Sequence, residues 1–183
     1  MGRMVRVMAA VATMVVFSTG VAFAATLDGT GGVDKLTGGA GDDTIQGLGG
    51  NDSWLNGGFG NDTILGGAGD DDIRGSAPKR GHDNGDTGRD TLSGGAGDDY
   101  ILGGLGADKI RGGDGDDTLF DGAGEYGTDT SVDRIYGGAG NDTILAAGGG
   151  SARDIISCGA GRDTVEADKG DEVADDCEKV YRR

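Results

Sequence analysis

Thirteen aspartates recur at one position of a nine-residue pattern, and no other residues of this sequence have types and spacing so well suited to chemistry. The pattern is clearest in "GGAGDDTIQ" at 38–46 and "GGAGNDTIL" at 137–145, where the sixth residue is the aspartate. A register kept through thirteen units points to one shared role for these carboxylates. The thirteen residues are Asp34, Asp43, Asp52, Asp62, Asp71, Asp90, Asp99, Asp108, Asp117, Asp133, Asp142, Asp154 and Asp163.

The chemistry that fits these carboxylates is the binding of a hard divalent cation. Stacked units bring their aspartates close together, and like charges at short range are unfavourable unless a cation lies between them. Ca²⁺ accepts roughly six to eight oxygen ligands, backbone carbonyls included, whereas Mg²⁺ demands tighter geometry and keeps its water. The sequence has one His and two Cys, too few for an array of softer ligands. We therefore predict several Ca²⁺ ions, ligated by the thirteen aspartates.

Turns and short strands must position these aspartates. Glycines at the first, second and fourth positions predict a turn, because glycine reaches positive φ without steric cost. The triplet after the aspartate, such as "TIL", predicts a three-residue strand whose middle side chain points inward. Two units make an 18-residue coil, and stacked coils pair their strands in parallel. The predicted inward residues are Leu36, Ile45, Trp54, Ile64, Ile73, Leu92, Ile101, Ile110, Leu119, Ile135, Ile144, Ile156 and Val165.

The fold class predicted in this way is all-β, a parallel β-roll or β-solenoid of stacked 18-residue coils with Ca²⁺ between the turns. Asn56 is interpreted as a single extra residue in its unit. Residues that follow the inward positions should face outward, as an apolar strip for a partner or as packing beneath insertions. These residues are Leu55, Leu65, Leu102, Phe120, Tyr136 and Leu145.

The repeats fall into three blocks within a predicted β-roll over 25–166. Surface loops are predicted between the blocks, at "GSAPKRGHDN" (75–84) and "DGAGEYG" (121–127). A C-terminal cap is predicted over 167–183, where the period continues loosely through Asp171 and Val173. The blocks are 29–74, 85–120 and 128–166, the last with a three-residue insertion at 146–148.

Residues 1–24 have the features of a secretory signal peptide. Arg3 and Arg6 precede an apolar run rich in small residues, and Ala22-Phe23-Ala24 fits a cleavage site. An uncleaved membrane anchor is the alternative, but the run is near the lower length limit for spanning a bilayer and no basic cluster follows it. Export through an oxidising compartment would let Cys158 and Cys177 form a disulfide, the alternative being a pair of metal ligands.

Composition limits the function classes. The 183 residues include 42 glycines and carry a formal charge of −16, with 5% aromatic residues. So acidic a chain repels phosphate backbones and anionic lipid, which argues against nucleic acid and membrane surfaces as partners. Few large apolar side chains offset the entropy that so many glycines lose on folding. The composition by itself is typical of a disordered chain. A component that is not part of the chain must therefore help it fold.

The repeat unit resembles the RTX, or hemolysin-type, calcium-binding nonapeptide over about residues 29–166. The resemblance implies a parallel β-roll with Ca²⁺ between turns of adjacent coils, ligated by the sixth-position aspartate and by backbone carbonyls of both turns. Asp133, Asp154 and Asp163 match less well, since their units lack one or more glycines. Proteins with these repeats are typically large toxins, proteases or lipases, whereas here no catalytic domain is expected before the repeats. The aspartates whose units keep all three glycines are Asp43, Asp62, Asp71, Asp99, Asp108, Asp117 and Asp142.

The sequence gives little support to the hypothesis of an enzymatic function. No glycine loop followed by Lys and Ser or Thr is present for phosphate, and a Ser-His-Asp triad would need His82, which lies in a polar stretch. Paired carboxylates of a glycosidase are available by number, but few large side chains could build a cleft. We expect a secreted protein, not an enzyme, whose folding is coupled to cooperative Ca²⁺ binding. The alternatives are a calcium-dependent extracellular adhesin or matrix protein and, less favoured, a secreted hydrolase.

Overall fold

The structure is a computed structural model whose regular elements, in the part of the chain it describes, are all β-strands. No helix long and apolar enough to cross a bilayer is found in that part. The described residues are 5–8, 13–15, 24–76, 87–122, 129–147 and 152–183.

Two sheets of parallel strands make up the described fold. The first sheet contains, in spatial order, β1 (Val5–Met8), β3 (Ala25–Asp28), β5 (Thr44–Gln46), β7 (Thr63–Ala68), β9 (Thr91–Ala96), β11 (Lys109–Asp114), β13 (Arg134–Ala139), β15 (Ile155–Ala160) and β17 (Glu172–Val173). The second contains, in order, β2 (Thr13–Val15), β4 (Lys35–Ala40), β6 (Trp54–Phe59), β8 (Asp72–Arg74), β10 (Tyr100–Leu102), β12 (Thr118–Phe120), β14 (Thr143–Ala146), β16 (Thr164–Ala167) and β18 (Lys179–Arg182).

Odd-numbered strands lie in one sheet and even-numbered strands in the other, so each coil of the chain contributes one strand to each sheet. This is the predicted parallel β-roll. The segments between repeat blocks do not interrupt it: β7 pairs with β9 and β8 with β10 across residues 77–86. Likewise β11 pairs with β13 and β12 with β14 across residues 123–128. The repeat blocks are thus one continuous stack in the described residues.

Two columns of aliphatic side chains, one from each sheet, fill the space between the sheets. A nine-residue unit cannot bury one aliphatic side chain by itself, but each coil covers the side chains of its neighbours. Burying each such side chain stabilises the fold by about 1.5–3 kcal/mol. The fully buried large side chains are Leu27, Leu36, Ile45, Leu55, Ile64, Ile73, Leu92, Ile101, Ile110, Leu119, Ile135 and Ile144.

The prediction for Trp54 and Leu55 was wrong by one residue. Leu55, not Trp54, pairs with Leu36 on one side and Ile73 on the other, and it is completely buried. The extra residue of this unit therefore lies between Asp52 and the buried position, rather than at Asn56. Because side chains alternate along a strand, a shift of one residue exchanges the inward and outward faces.

The other residues expected to face outward differ in exposure. Leu65 is 43% exposed, as predicted, whereas Leu102 is only 8% exposed. Phe120, Tyr136 and Leu145 are half-buried. Among these outward positions, therefore, Leu65 is exposed to solvent while neighbouring residues cover the others partly or almost fully.

At each end of the roll, two strands lie outside the predicted β-roll of residues 25–166. Strands β1 and β2 lie within residues 1–24 and pair with β3 and β4. Cleavage of those residues as a signal peptide stays a prediction. At the other end β17 and β18 extend the two sheets, and the Cys158–Cys177 disulfide joins this segment to β15. His82 lies outside the described residues.

Candidate functional site

The sixth-position aspartates form two columns along the roll, one at each set of turns. In both columns the backbone N–H of one aspartate donates to Oδ1 of the aspartate one coil later, at 2.7–3.1 Å. The first Asp column contains Asp43, Asp62, Asp90, Asp108, Asp133, Asp154 and Asp171. The second Asp column contains Asp34, Asp52, Asp71, Asp99, Asp117, Asp142 and Asp163.

The structure thus brings all thirteen predicted aspartates into the two columns and buries every one of them. Asp133, Asp154 and Asp163, whose units lack glycines, are placed like the rest and are 1%, 6% and 1% exposed. Asp171 was seen in the sequence only as a loose continuation of the period. It is 7% exposed and ends the first column.

Many of these carboxylates have a second oxygen that makes no hydrogen bond within the protein. Leaving a buried polar atom unpaired costs about 1–3 kcal/mol, and more when the group is charged. An array of such oxygens therefore indicates a missing positive partner. In the described part of the chain the unpaired oxygens are Oδ1 of Asp34 and Oδ2 of Asp43, Asp52, Asp71, Asp99, Asp108, Asp117, Asp142 and Asp163.

Glycine at the first position of a unit makes room for that second oxygen. A Cβ placed on Gly38 would lie 2.2 Å from Asp43 Oδ2 and 2.6 Å from the carbonyl oxygen of Gly57, in the next coil. In the second column, a Cβ on Gly112 would lie 2.1 Å from Asp117 Oδ2. Carboxylate and carbonyl oxygens thus approach the same small space, and a side chain at the first position would fill it.

Burial and mutual repulsion make the ionised form of these carboxyls unfavourable when no cation is bound. Burial raises the pKa of Asp99 from 3.8 to about 7; the backbone N–H of Asp71 opposes this rise, while the Asp117 and Asp71 carboxylates add to it. Burial likewise raises the pKa of Asp117 to about 7 and that of Asp43 to about 6. For Asp108, the pKa is raised to about 9, again mainly by burial.

The donor set matches a hard cation. Along both columns the available ligand atoms are carboxylate and backbone carbonyl oxygens, which Ca²⁺ prefers. The two cysteine sulfurs are joined to each other as Cys158–Cys177, so they offer no thiolate. The described residues therefore fit Ca²⁺ and offer no cluster suited to a softer metal.

Besides Asp171, three acidic residues with defined positions at the columns were not predicted as site residues. Asp121 places a carboxylate oxygen within 4.8 Å of oxygens of Asp133 and Asp154. Its signal in the sequence is "DGAG" at 121–124, a unit start with aspartate in the place of the first glycine. Burial raises the pKa of Asp121 to about 7, and the Asp154 and Asp129 carboxylates add to the rise. The other two, Asp176 and Glu178, lie at the C-terminal end.

Asp176 and Glu178 occupy places that a further coil would fill. The Asp176 carboxylate accepts hydrogen bonds from the backbone N–H groups of Cys158 and Gly159 and from Ser157 Oγ. Glu178 Oε2 accepts from the backbone N–H of Asp163 at 2.9 Å. No regular spacing in the sequence marks either residue, because the nine-residue period continues only loosely after 166 and is lost after Val173.

Comparison with known proteins agrees with the geometry. The chain matches the family described as "RTX calcium-binding nonapeptide repeat (4 copies)" over residues 19–53, 54–77, 84–119, 103–125, 128–151 and 148–173. A search of curated proteins found no match. The family match covers well over half of the sequence, and the β-roll it implies is the fold described above. Repeats of this family bind Ca²⁺, and the roll they form is a structural calcium-binding fold. The chain belongs to the RTX calcium-binding nonapeptide repeat family.

Proposed function

We propose that the chain is a secreted calcium-binding protein whose folding is coupled to cooperative binding of several Ca²⁺ ions through the two Asp columns. The observation that carries the proposal is the array of buried carboxylates with unpaired second oxygens. Asp99 and Asp117, neighbours in the second column, each have Oδ2 without a hydrogen-bond partner. Calcium binding would replace their repulsion by attraction, and the free energy of binding would become free energy of folding.

Hydrogen bonds between coils support cooperativity. The backbone N–H of Asp99 donates to Asp117 Oδ1, and that of Asp117 donates to Asp142 Oδ1. An ion that fixes one carboxylate therefore also orders the turn that precedes it. In a stack where each coil contacts only its neighbours, such coupling makes one bound ion favour the next.

Secretion is supported by the predicted signal peptide and by calcium supply. Free calcium is scarce inside cells, so the chain would stay expanded before export and fold outside. Sites of extracellular modules bind with dissociation constants on the order of 10⁻⁴ to 10⁻³ M, a range suited to such a switch. The disulfide between Cys158 and Cys177 agrees with an oxidising compartment.

Calcium titration of the purified chain tests the proposal. Circular dichroism should show a gain of β-structure on adding Ca²⁺ and its loss on chelation, and calorimetric titration should count several ions. A spectrum that is the same with calcium and with chelator would contradict the coupling of folding to binding. Titration calorimetry without any heat of binding would contradict the calcium sites themselves.

Two variants of one coil separate the column carboxylates from general charge effects. Asp117→Asn keeps the side-chain shape and the acceptor for Asp99 but removes the charge at a position that is 1% exposed. Asp114→Asn removes one charge at an exposed position of the same unit. We expect Asp117→Asn to raise the calcium midpoint several-fold and Asp114→Asn to leave it nearly unchanged. Equal midpoints for the two variants would contradict a ligand role for Asp117.

A second candidate function is calcium-dependent adhesion through the outward face of the second sheet. Trp54, Arg74, Tyr100 and Phe120 lie there on the adjacent strands β6, β8, β10 and β12, and we call them the aromatic platform. The Arg74 guanidinium lies 4.4 Å from the centroid of the Trp54 ring, and the rings of Tyr100 and Phe120 are 5.1 Å apart. Tyr100 is 40% exposed. Exposed rings of this kind are enriched at binding surfaces.

Binding to a surface partner in the presence and absence of chelator tests adhesion. The double variant Trp54→Ala with Tyr100→Ala should lose partner binding and keep calcium binding. Tyr136→Ala, in β13 of the opposite sheet, is the matched control. Partner binding that survives both the double variant and the chelator would contradict this candidate. The assignment as a protein without enzymatic activity belongs to the same proposal, and hydrolysis lost on His82→Ala would overturn it.

A further inference from the structure

We propose that Asp121 joins Asp133 and Asp154 in a divalent-cation site that has one carboxylate more than the sites of the regular repeat. Their carboxylate oxygens lie within 4.8 Å of one another. The inference rests on the proposed calcium-binding function and deepens it, because it assigns one ion to a place where the repeat departs from its own pattern. The expected ligand is Ca²⁺ or another hard divalent ion.

Asp121 occupies the first position of a unit, where glycine stands in the regular repeat. Its backbone keeps the stacking of that position: its carbonyl oxygen accepts from the N–H of Gly104, and its N–H donates to the Leu145 carbonyl. A first-position Cβ points at the second oxygen of the sixth-position aspartate of its own unit, as Gly112 shows for Asp117. In the stack Asp121 takes the place that Gly103 takes beside Asp108, although the sequence unit of Asp133 begins at Thr128. The aspartate that follows Asp108 in the column is Asp133, and its carboxylate lies close to that of Asp121.

The burial of the partners makes three carboxylates in one place costly without a cation. Asp133 is 1% exposed and Asp154 is 6% exposed. One oxygen of Asp133 accepts from the N–H of Asp108, and one oxygen of Asp154 accepts from the N–H of Asp133. In the described part of the chain, the ion pairs of Lys and Arg involve other acidic residues. The three like charges therefore have no cationic side chain to offset their repulsion.

A second and independent observation is the carboxylate of Asp108, one coil earlier in the first Asp column. Its Oδ2 makes no hydrogen bond, and the residue is 1% exposed. This oxygen faces the Asp121 backbone: a Cβ on Gly103 would lie 2.8 Å from Asp108 Oδ2 and 2.3 Å from the Asp121 carbonyl oxygen. A buried, unpaired oxygen thus points toward the segment that supplies the additional carboxylate, as expected beside a bound cation.

Asp129 differs from these ligands, because both of its oxygens are used. Oδ2 accepts from the backbone N–H of Gly106 and Oδ1 from that of Ser131. It stands near the start of a unit whose glycines are replaced by Thr128 and Ser131. Asp129 holds this altered turn against the preceding coil and adds negative charge beside the site. Two further acidic residues, Asp121 and Asp129, therefore lie near Asp133, whose unit matches the repeat less well.

The substitution Asp121→Gly distinguishes this site from the regular pattern. Glycine restores the repeat and removes a repulsive charge, so a chain with only regular sites should bind calcium as well as before, or better. If Asp121 is a ligand, the ion beside it should bind about tenfold more tightly than the others because of its additional carboxylate. Asp121→Gly should then leave the number of bound ions unchanged and weaken this one about tenfold. Equilibrium dialysis and calorimetric titration of the full chain with Ca²⁺ measure both quantities.

Two further variants make the result decisive. Asp121→Asn keeps the shape of the side chain and should weaken the same ion. Asp114→Ala removes an exposed charge from the preceding unit and should weaken none. If Asp121→Gly binds every ion as tightly as the wild-type chain or more tightly, the inference is overturned while the proposed function stays in place. Failure of the wild-type chain itself to bind calcium would instead overturn the proposed function.

Discussion

The backbone N–H of Asp163 donates to Oε2 of Glu178 at 2.9 Å, where every earlier aspartate of the second column donates to an aspartate of the next coil. A glutamate from the C-terminal segment therefore completes the column at its last member. Asp176 acts in the same way on the neighbouring turn, since its carboxylate accepts from the N–H groups of Cys158 and Gly159. A stack of identical coils needs such closing contacts, because its last coil would otherwise leave these donors unpaired.

Glu178→Ala should destabilise the calcium-loaded roll by about 1–3 kcal/mol, because the Asp163 N–H loses its acceptor in a partly buried position. Thermal unfolding at saturating calcium measures the change. Glu172→Ala is the control: it removes a glutamate of the same segment whose contact is an exposed ion pair with Arg153, and exposed pairs contribute roughly 0–1 kcal/mol. Equal losses in the two variants would mean that Glu178 has no special place in the column.

Leu48→Gly should stabilise the fold by about 0.5–1 kcal/mol. Leu48 stands at the second position of its unit with φ of 77°, while the equivalent Gly39 and Gly67 have φ of 115° and 121°. A left-handed backbone conformation costs a residue with a Cβ about 1–2 kcal/mol. Replacement by glycine removes this cost, but part of the gain in stability is lost because glycine has more conformational freedom in the unfolded chain. The Leu48 side chain is 54% exposed, so little burial is lost.

Leu48→Ala is the control for that prediction, because alanine shortens the side chain but keeps the Cβ that causes the strain. We expect no gain in melting temperature for Leu48→Ala and a gain of a few degrees for Leu48→Gly. An equal gain in both would show that the exposed leucine side chain, and not the backbone conformation, is unfavourable.

The nine-residue period was enough to predict the fold and the close approach of aspartates from neighbouring turns, because in a solenoid each position has the same surroundings in every coil. It failed where one residue was added: Trp54 was assigned to the buried position that Leu55 takes, since both are apolar and only the strand pairing decides between them. Contacts made once in the molecule were also missed. Asp121 and Glu178 act through neighbours that are distant in sequence, and no repetition marks them.

Asn56→Leu should stabilise the protein by about 1–3 kcal/mol. Asn56 is completely buried, and neither Oδ1 nor Nδ2 has a hydrogen-bond partner. Leucine has nearly the same shape and removes two unpaired polar atoms, a change that is favourable in a buried position. Asn51→Leu is the control, because Asn51 is exposed and its amide donates to Asp70. A loss of stability in Asn56→Leu, measured by thermal unfolding with calcium, would contradict the prediction.

The disulfide should contribute about 3 kcal/mol to stability by restricting the unfolded chain, since Cys158 and Cys177 are separated by 19 residues. Reduction with excess dithiothreitol at saturating calcium should therefore lower the melting temperature by roughly 6–12 °C for a domain of this size. The double variant Cys158→Ala with Cys177→Ala should already melt at the lower temperature, and reduction should not lower it further. A reductant effect of the same size in the double variant would show that it acts elsewhere.

Without metal, the chain should gain β-structure as the pH falls from about 8 to about 5. The folded pKa values of Asp99 and Asp117 are raised to about 7, and those of Asp43 and Asp52 to about 6, all mainly by burial. These carboxyls bind protons more tightly in the folded than in the unfolded chain. Protonation therefore stabilises the fold, and this stability is lost as the pH rises through the folded pKa values.

Calcium should reverse this dependence, because the ion binds the ionised carboxylates and competes with protons for them. The calcium midpoint should therefore rise as the pH falls over the same range, whereas the β-signal at saturating calcium should change little. Asp176, whose pKa is lowered by its hydrogen bonds despite slight burial, would lose stability only below about pH 4, outside this window. Circular dichroism with chelator at about pH 5 and pH 8 is decisive. Less β-structure at the lower pH would mean that carboxylate repulsion does not hold the metal-free chain open.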